Sequence, residues 1–191
     1  MRAPKATILP AVLCAAALAA CGSDQITAQA KPLTDATFAA PAASGAQPPA
    51  VSYSASLVPA TAKATVRQEA AGTGTKVSVA VTGLTANHMY GAHVHTKPCG
   101  SQPADSGPHY QNTKDPVTPS VDGKYANSQN EVWLDFQTDD KGHASASSTV
   151  PFKFRAGEAN AVVIHANHTS TEPGKSGTAG DRLACITAAF A

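Results

Sequence analysis

Charge is scarce in this sequence: 14% of its 191 residues are Asp, Glu, Lys or Arg, and 14 basic residues nearly cancel 13 acidic ones. So little charge excludes a long coiled coil or an acidic disordered tail. The missing basic surplus argues against a nucleic-acid partner, whose phosphates demand one. Helical periodicity is missing too, since no stretch repeats its apolar residues at 3.6-residue spacing. Cysteine is sparse, with four in all, whereas Gly and Pro are plentiful at 14 each. That balance suits one turn-rich β domain with appendages.

The one sustained apolar run opens the chain. Arg2 and Lys5 supply a basic start, apolar residues follow from Ala6, and Leu18-Ala19-Ala20-Cys21 closes the segment. This reads as an export signal over residues 1–20, too short and too alanine-rich for a transmembrane helix. The tetrapeptide resembles a bacterial lipobox, in which cleavage before the cysteine makes a lipidated Cys21 the first residue. The alternative is an ordinary secretory signal with a coincidental cysteine. Without Arg2 and Lys5 the 14 basic residues fall to 12 against 13 acidic, so net charge identifies no partner. Cys14 leaves with the signal, and Cys99 and Cys185 remain as the two thiols of an exported chain, where pairing is expected. Residues 21–50 are rich in Ala, Pro, Ser, Thr and Gln and read as a flexible tether between a lipid anchor in the membrane and a folded domain.

From Val51 to Ala191 short alternating segments take over, and eight of them read as strands: residues 51–59, 64–69, 76–82, 89–95, 132–138, 144–150, 161–166 and 184–190. Gly72-Thr73-Gly74, Asp139-Asp140-Lys141-Gly142 and Ala156-Gly157-Glu158 punctuate them as turns. The expectation is an all-β sandwich or flattened barrel over residues 51–191, with Trp133 and the Val and Ile positions in its core. Two long stretches, residues 95–131 and 167–183, are rich in Gly, Pro and polar residues, and loops of that length in a compact domain are usually functional.

All seven histidines lie in this domain. His93 and His95 flank Val94 in an expected strand, so their rings share one face roughly 6.6 Å apart along the chain and can reach one metal. A lone His-x-His pair is common. It gains weight from Gly107-Pro108-His109 and from Val162-Val163-Ile164-His165, where a histidine ends an apolar strand beside a long loop. Together with Gly91-Ala92-His93-Val94-His95, Cys99 and Gly180-Asp181-Arg182-Leu183-Ala184-Cys185, these motifs resemble the copper/zinc superoxide dismutases in order and approximate spacing. The likeness covers about residues 51–190.

That resemblance implies a Greek-key eight-stranded β-sandwich with two functional loops, and dismutation of superoxide to dioxygen and hydrogen peroxide at the cell envelope. It makes His93, His95, His109 and His165 the copper ligands and Cys99 to Cys185 the family's disulfide, which on the chain-entropy account stabilises a loop of this length by roughly 4 to 5 kcal/mol. The competing reading of Cys99 is a soft copper ligand. Arg182 matches the arginine that attracts and orients superoxide, and His109 would exchange copper for a proton. Lys175 and Ser176 fall where the family's electrostatic loop carries a lysine and a threonine.

The zinc half of the pattern fails. No histidine occurs between Tyr110 and Gly142, where only carboxylates such as Asp115, Asp122 and Glu131 are available, and structural zinc favours nitrogen and sulfur. Asn167-His168-Thr169-Ser170-Thr171 also lacks the aspartate that links the two metal sites in the family. A copper-only variant is therefore expected, with zinc doubtful, and with His88, His143 and His168 facing solvent. The rival functions are a copper-buffering envelope lipoprotein with little turnover and a zinc hydrolase built on His-x-His.

Overall fold

Alternation becomes strand wherever the sequence offers it. In the computed structural model the described residues are Met1 and 32–191, so the signal, Cys21 and the first part of the expected tether lie outside them. Nine strands follow in order: β1 (Thr34–Thr37), β2 (Ala50–Ser52), β3 (Lys63–Ala71), β4 (Gly74–Thr82), β5 (Met89–His95), β6 (Phe136–Gln137), β7 (Ala144–Val150), β8 (Ala161–His165) and β9 (Arg182–Thr187). They form a four-stranded sheet ordered β1-β3-β4-β7 and a five-stranded sheet ordered β2-β9-β8-β5-β6. All pairs of named strands are antiparallel. The tightest turn joins β3 to β4 at Gly72-Thr73, where Gly72 has φ 59°, a conformation that costs a glycine little.

The core lies between the sheets. Val66, Val77, Val79 and Val81 project from one, and Ala92, Val94, Val162, Ile164, Ala184 and Ile186 from the other, all buried. Fully burying one such valine or isoleucine contributes about 1.5 to 3 kcal/mol. Because neighbours in a strand point to opposite faces, placing Val94 and Ile164 in the core turns His93, His95 and His165 to the outer face of the five-stranded sheet. The long stretches 96–131 and 166–181 cover that face. Cys99 and Cys185 form a disulfide with Cα atoms 5.6 Å apart, tying the first of these stretches to β9. The Tyr53 hydroxyl donates to Gly100 O at 2.9 Å and holds the same segment.

Four expectations need correction. Residues 34–50 are not tether: β1 pairs with β3 from Thr34↔Val66 to Thr37↔Lys63, Phe38 is 1% exposed, and Ala39 bonds the strand that begins at Ala50. Phe38 is the one large apolar side chain of this stretch, and the small and polar residues around it give it the composition of a linker. The domain starts near Leu33, and the sandwich has nine strands instead of eight. The strand expected over 132–138 is reduced to β6 and an isolated bridge between His93 and Trp133. Trp133 itself lies on the outer face, because its neighbours Val132 and Leu134 take the core.

Candidate metal centre

Four imidazoles converge on the outer face. His93 and His95 come from β5, His165 ends β8, and His109 is brought in by an isolated bridge to His95, with Tyr110 N donating to Val94 O at 2.8 Å. One nitrogen from each ring lies within 4.8 Å of the others. The second nitrogen of each ring is spoken for. His95 Nδ1 donates to Gly107 O at 2.9 Å, and His165 Nδ1 to Gly180 O at 3.2 Å. His109 Nδ1 donates to Glu131 Oε2 at 2.9 Å, and His93 Nε2 faces Thr169 Oγ1 at 2.7 Å.

Those partners decide the tautomers. Carbonyls only accept, so the Nδ1 atoms of His95 and His165 carry the protons and their Nε2 atoms present lone pairs. The two Nε2 atoms face each other at 3.4 Å with no proton between them. Two opposed acceptors repel unless a cation joins them. His93 shows the same need from another side: its Nδ1 is a buried polar atom with no hydrogen-bond partner among the described residues. The donor set therefore fits a metal that accepts neutral nitrogen ligands, and imidazole suits copper in either oxidation state.

Electrostatics keeps the rings neutral. Burial pushes the pKa values of His93 and His95 well below the usual histidine value, with the neighbouring histidines adding to it, and burial takes His165 down to about 3. Neutral rings are the form that binds metal, so the fold prepares the ligands before the ion arrives.

Supporting bonds extend outward in two branches. Thr169 Oγ1 donates to Asp135 Oδ1 at 2.6 Å, and Asp135 also accepts from Thr169 N at 2.8 Å and faces His168 Nδ1 at 3.1 Å. On the other branch Glu131, 1% exposed, accepts from His109, from Trp133 Nε1 at 2.8 Å and from Gln111 Nε2 at 2.8 Å. The far nitrogen of His109, which would meet zinc in a two-metal site, thus meets a carboxylate. Asp115 and Asp122 are engaged elsewhere: Asp115 takes the Ser120 hydroxyl at 2.7 Å, and Asp122 takes Lys124 N at 2.8 Å.

Arg182 stands at the start of β9. Its Nη1 donates to Pro103 O and to Ser106 Oγ, both at 3.0 Å, and Ser106 is fully buried in the short 3₁₀ turn Pro103–Ser106. The guanidinium shares a cavity of about 710 Å³ with His109 and His165. Two close approaches shape this corner. A side chain at Gly91 would meet Asn167 O at 2.5 Å, and one at Gly177 would reach Ala126 at 3.0 Å, on the approach to Glu131 and His109.

The structure thus brings together His93, His95, His109, His165 and Arg182, and it pairs Cys99 with Cys185 instead of leaving a thiol for metal. Lys175 is exposed and pairs with Glu172 at 3.0 Å, while Ser176 is buried and donates to Ala126 O at 2.6 Å, a contact between the two covering loops. His143 is exposed; His88 is partly buried, its Nε2 3.2 Å from Ala166 O; exposed His168 pairs with Asp135. Sequence reasoning missed Asp135, Thr169 and Ser106, and weighed Glu131 only as a zinc ligand. One signal was present: with Val132, Leu134 and Phe136 in the core, alternation puts Glu131, Trp133 and Asp135 on the face that carries the histidines.

Fold and site together define a metal-binding all-β sandwich with its centre outside the core, under two loops. A family model described as copper/zinc superoxide dismutase matches residues 60–187, and the chain belongs to that family. Among solved structures it is similar to a mutant of a SOD-like protein from Bacillus subtilis, at 16% identity over 68% of this chain and 90% of that one, with TM-score 0.50. A double mutant of that Bacillus subtilis protein gives 16% identity, 68% and 88% coverage and TM-score 0.49. The Cu/Zn superoxide dismutase from Brucella abortus gives 19% identity, 65% and 86% coverage and TM-score 0.48. At such identities the first of these supports the sandwich fold and nothing finer. No curated protein matches this chain.

Proposed function

We propose that this protein is a copper-only superoxide dismutase of the cell envelope, held to a membrane by a lipid on Cys21. The observation that carries the reading is a cluster of four convergent imidazoles, two of which, His109 and His165, line the same cavity as the guanidinium of Arg182. Among the described residues no carboxylate pairs with Arg182. Copper held by His93, His95, His109 and His165 would supply the one-electron exchange that converts one superoxide to dioxygen and a second to hydrogen peroxide.

The chain's own residues do the rest. Arg182 attracts the anion and offers it two donors, and Ser106 with Pro103 O fixes the guanidinium so that little orientation is lost on binding. His109 is the least buried of the four ligands, at 18% side-chain exposure, and borders the cavity. Once its Nε2 is free it can take a proton and pass it to the departing product, while the Glu131 carboxylate stabilises the resulting imidazolium. A store for copper would need the four nitrogens but not the anchored arginine, which favours turnover over buffering.

Glu131 in the zinc position supports a single metal. The export signal, Cys21 and the residues up to Pro32 supply the anchor and a shorter spacer than composition alone implied. The test is to measure metal content and superoxide consumption of disulfide-intact protein loaded with copper alone, zinc alone or both. Copper alone is expected to give full activity, with added zinc changing neither rate nor melting temperature. Stoichiometric zinc in the protein as isolated, or activity that requires zinc, overturns the copper-only reading.

A further inference from the structure

The cavity beside Arg182 is far larger than superoxide requires. A two-atom anion fills little more than the roughly 30 Å³ share of one water in the liquid. The cavity measures about 710 Å³, within the range of about 300 to 1,000 Å³ seen for sites that hold small organic ligands. Its lining includes the apolar residues Pro108, Val117, Pro119 and Val121. Val117 is 65% exposed, an apolar side chain left in water on the lining that also carries Arg182.

Charge on the lining narrows the occupant. Lys114 pairs at 3.0 Å with Glu158, a carboxylate it shares with Arg155, and Asp115 accepts from the Ser120 hydroxyl and from Val117 N at 2.8 Å. Glu131 is satisfied by His109, Gln111 and Trp133. Of the two cations on the lining, Lys114 and Arg182, Arg182 is the one with no carboxylate partner among the described residues, and only its Nη1 has a protein acceptor there. A planar fork with free donors selects a carboxylate, which it can bind through two parallel hydrogen bonds.

We propose that this cavity binds a small organic monocarboxylate with a flat apolar body, its carboxylate on Arg182 and its body against Val117, Pro119 and Val121. The inference rests on Arg182 as the anion-binding group of the proposed active site but not on turnover there. Such a ligand covers the approach to His109 and His165, so its local concentration would set how much of the site superoxide can reach.

The experiment is calorimetric titration of the disulfide-intact protein, metal-free and copper-loaded, with benzoate, with acetate and with benzamide. Benzoate supplies charge and body, acetate the charge alone, and benzamide the body alone. Benzoate is expected to bind about tenfold or more tightly than acetate, as burial of one ring face predicts, and more tightly than benzamide, which lacks the charge that pairs with Arg182. Arg182→Ala should abolish the preference for benzoate over benzamide. Val117→Ser, at a site exposed enough to spare the fold, should weaken benzoate while leaving acetate unchanged. Equal affinity for benzoate and acetate, or benzoate binding indifferent to Val117→Ser, overturns the proposal. Binding by a protein that does not consume superoxide would instead sink the dismutase reading and leave this one standing.

Discussion

Glu131 Oε2 accepts the Nδ1 proton of His109 at 2.9 Å, from the side of the ring turned away from the other three histidines. The same oxygen takes the Trp133 indole N–H at 2.8 Å, so the carboxylate is held on both sides and cannot swing to solvent. A buried acceptor fixed in this way orients the imidazole and sets its tautomer.

Glu131→Gln should therefore fold and bind copper yet lose activity, by about the tenfold or more typical of supporting residues around a metal. Superoxide consumption by wild type and variant, with copper content measured alongside, checks this. Unchanged activity in a copper-replete variant would show that Glu131 only fills space.

Arg182→Ala should lower the rate with superoxide and flatten its dependence on ionic strength, since the attraction it supplies is long-range and screened. Ser106→Ala removes one of the two acceptors that hold the guanidinium. It should lower the rate less and keep the salt dependence, because the charge stays while its orientation loosens. Stopped-flow rates from low to high salt, with bound copper unchanged, separate attraction from positioning. Identical curves for wild type and Arg182→Ala would remove the arginine from the mechanism.

What the sequence showed and what it hid follow from the reach of each signal. Period-two alternation located most strands because it is local, and His93, His95, His109 and His165 were legible as a set because chain order and spacing match the family. The supporting atoms were not legible. Thr169 Oγ1 contacts His93 across 76 positions and Glu131 contacts His109 across 22, so no neighbouring residue announces either bond. The aspartate of the family pattern is absent after His165; in its loop Thr169 meets His93 Nε2 and is backed by Asp135 from another segment. Phe38 and β1 were hidden for a different reason: an edge strand of Thr, Asp and Ala has the composition of a linker, and only its pairing with β3 distinguishes it.

Cys21 lies outside the described residues, and its role stands on Leu18-Ala19-Ala20-Cys21. Cys21→Ala should release the protein from the membrane fraction or leave it unprocessed, with copper binding by the folded domain unaffected. Fractionation and the mass of the mature N-terminus provide the readout. Normal processing and full membrane retention in the variant would end the lipoprotein proposal.

The pH dependence of stability follows from the buried imidazoles. In the unfolded chain a histidine takes up a proton near pH 6.5. In the folded chain burial holds His93 and His95 well below that value and His165 at about 3. Between those limits the unfolded state binds more protons, so stability is complete above about pH 6.5 and is lost as pH falls toward the folded values. Asp139 and Glu158, whose carboxyls are also held low, by backbone hydrogen bonds and by Lys114 with Arg155, act only below their ordinary values of 3.8 and 4.5. The interval from pH 7 to pH 5 therefore isolates the histidines. Each contributes a slope approaching about 1.4 kcal/mol per pH unit at the acid end of that interval. The metal-free, disulfide-intact protein should accordingly lose about 10 °C or more of Tm from pH 7 to pH 5. His165→Asn, which removes one of the three groups, should reduce that dependence by about a third. Differential scanning calorimetry in that interval is the measurement, and a flat Tm would mean that the rings are hydrated in solution and that the site is not preformed.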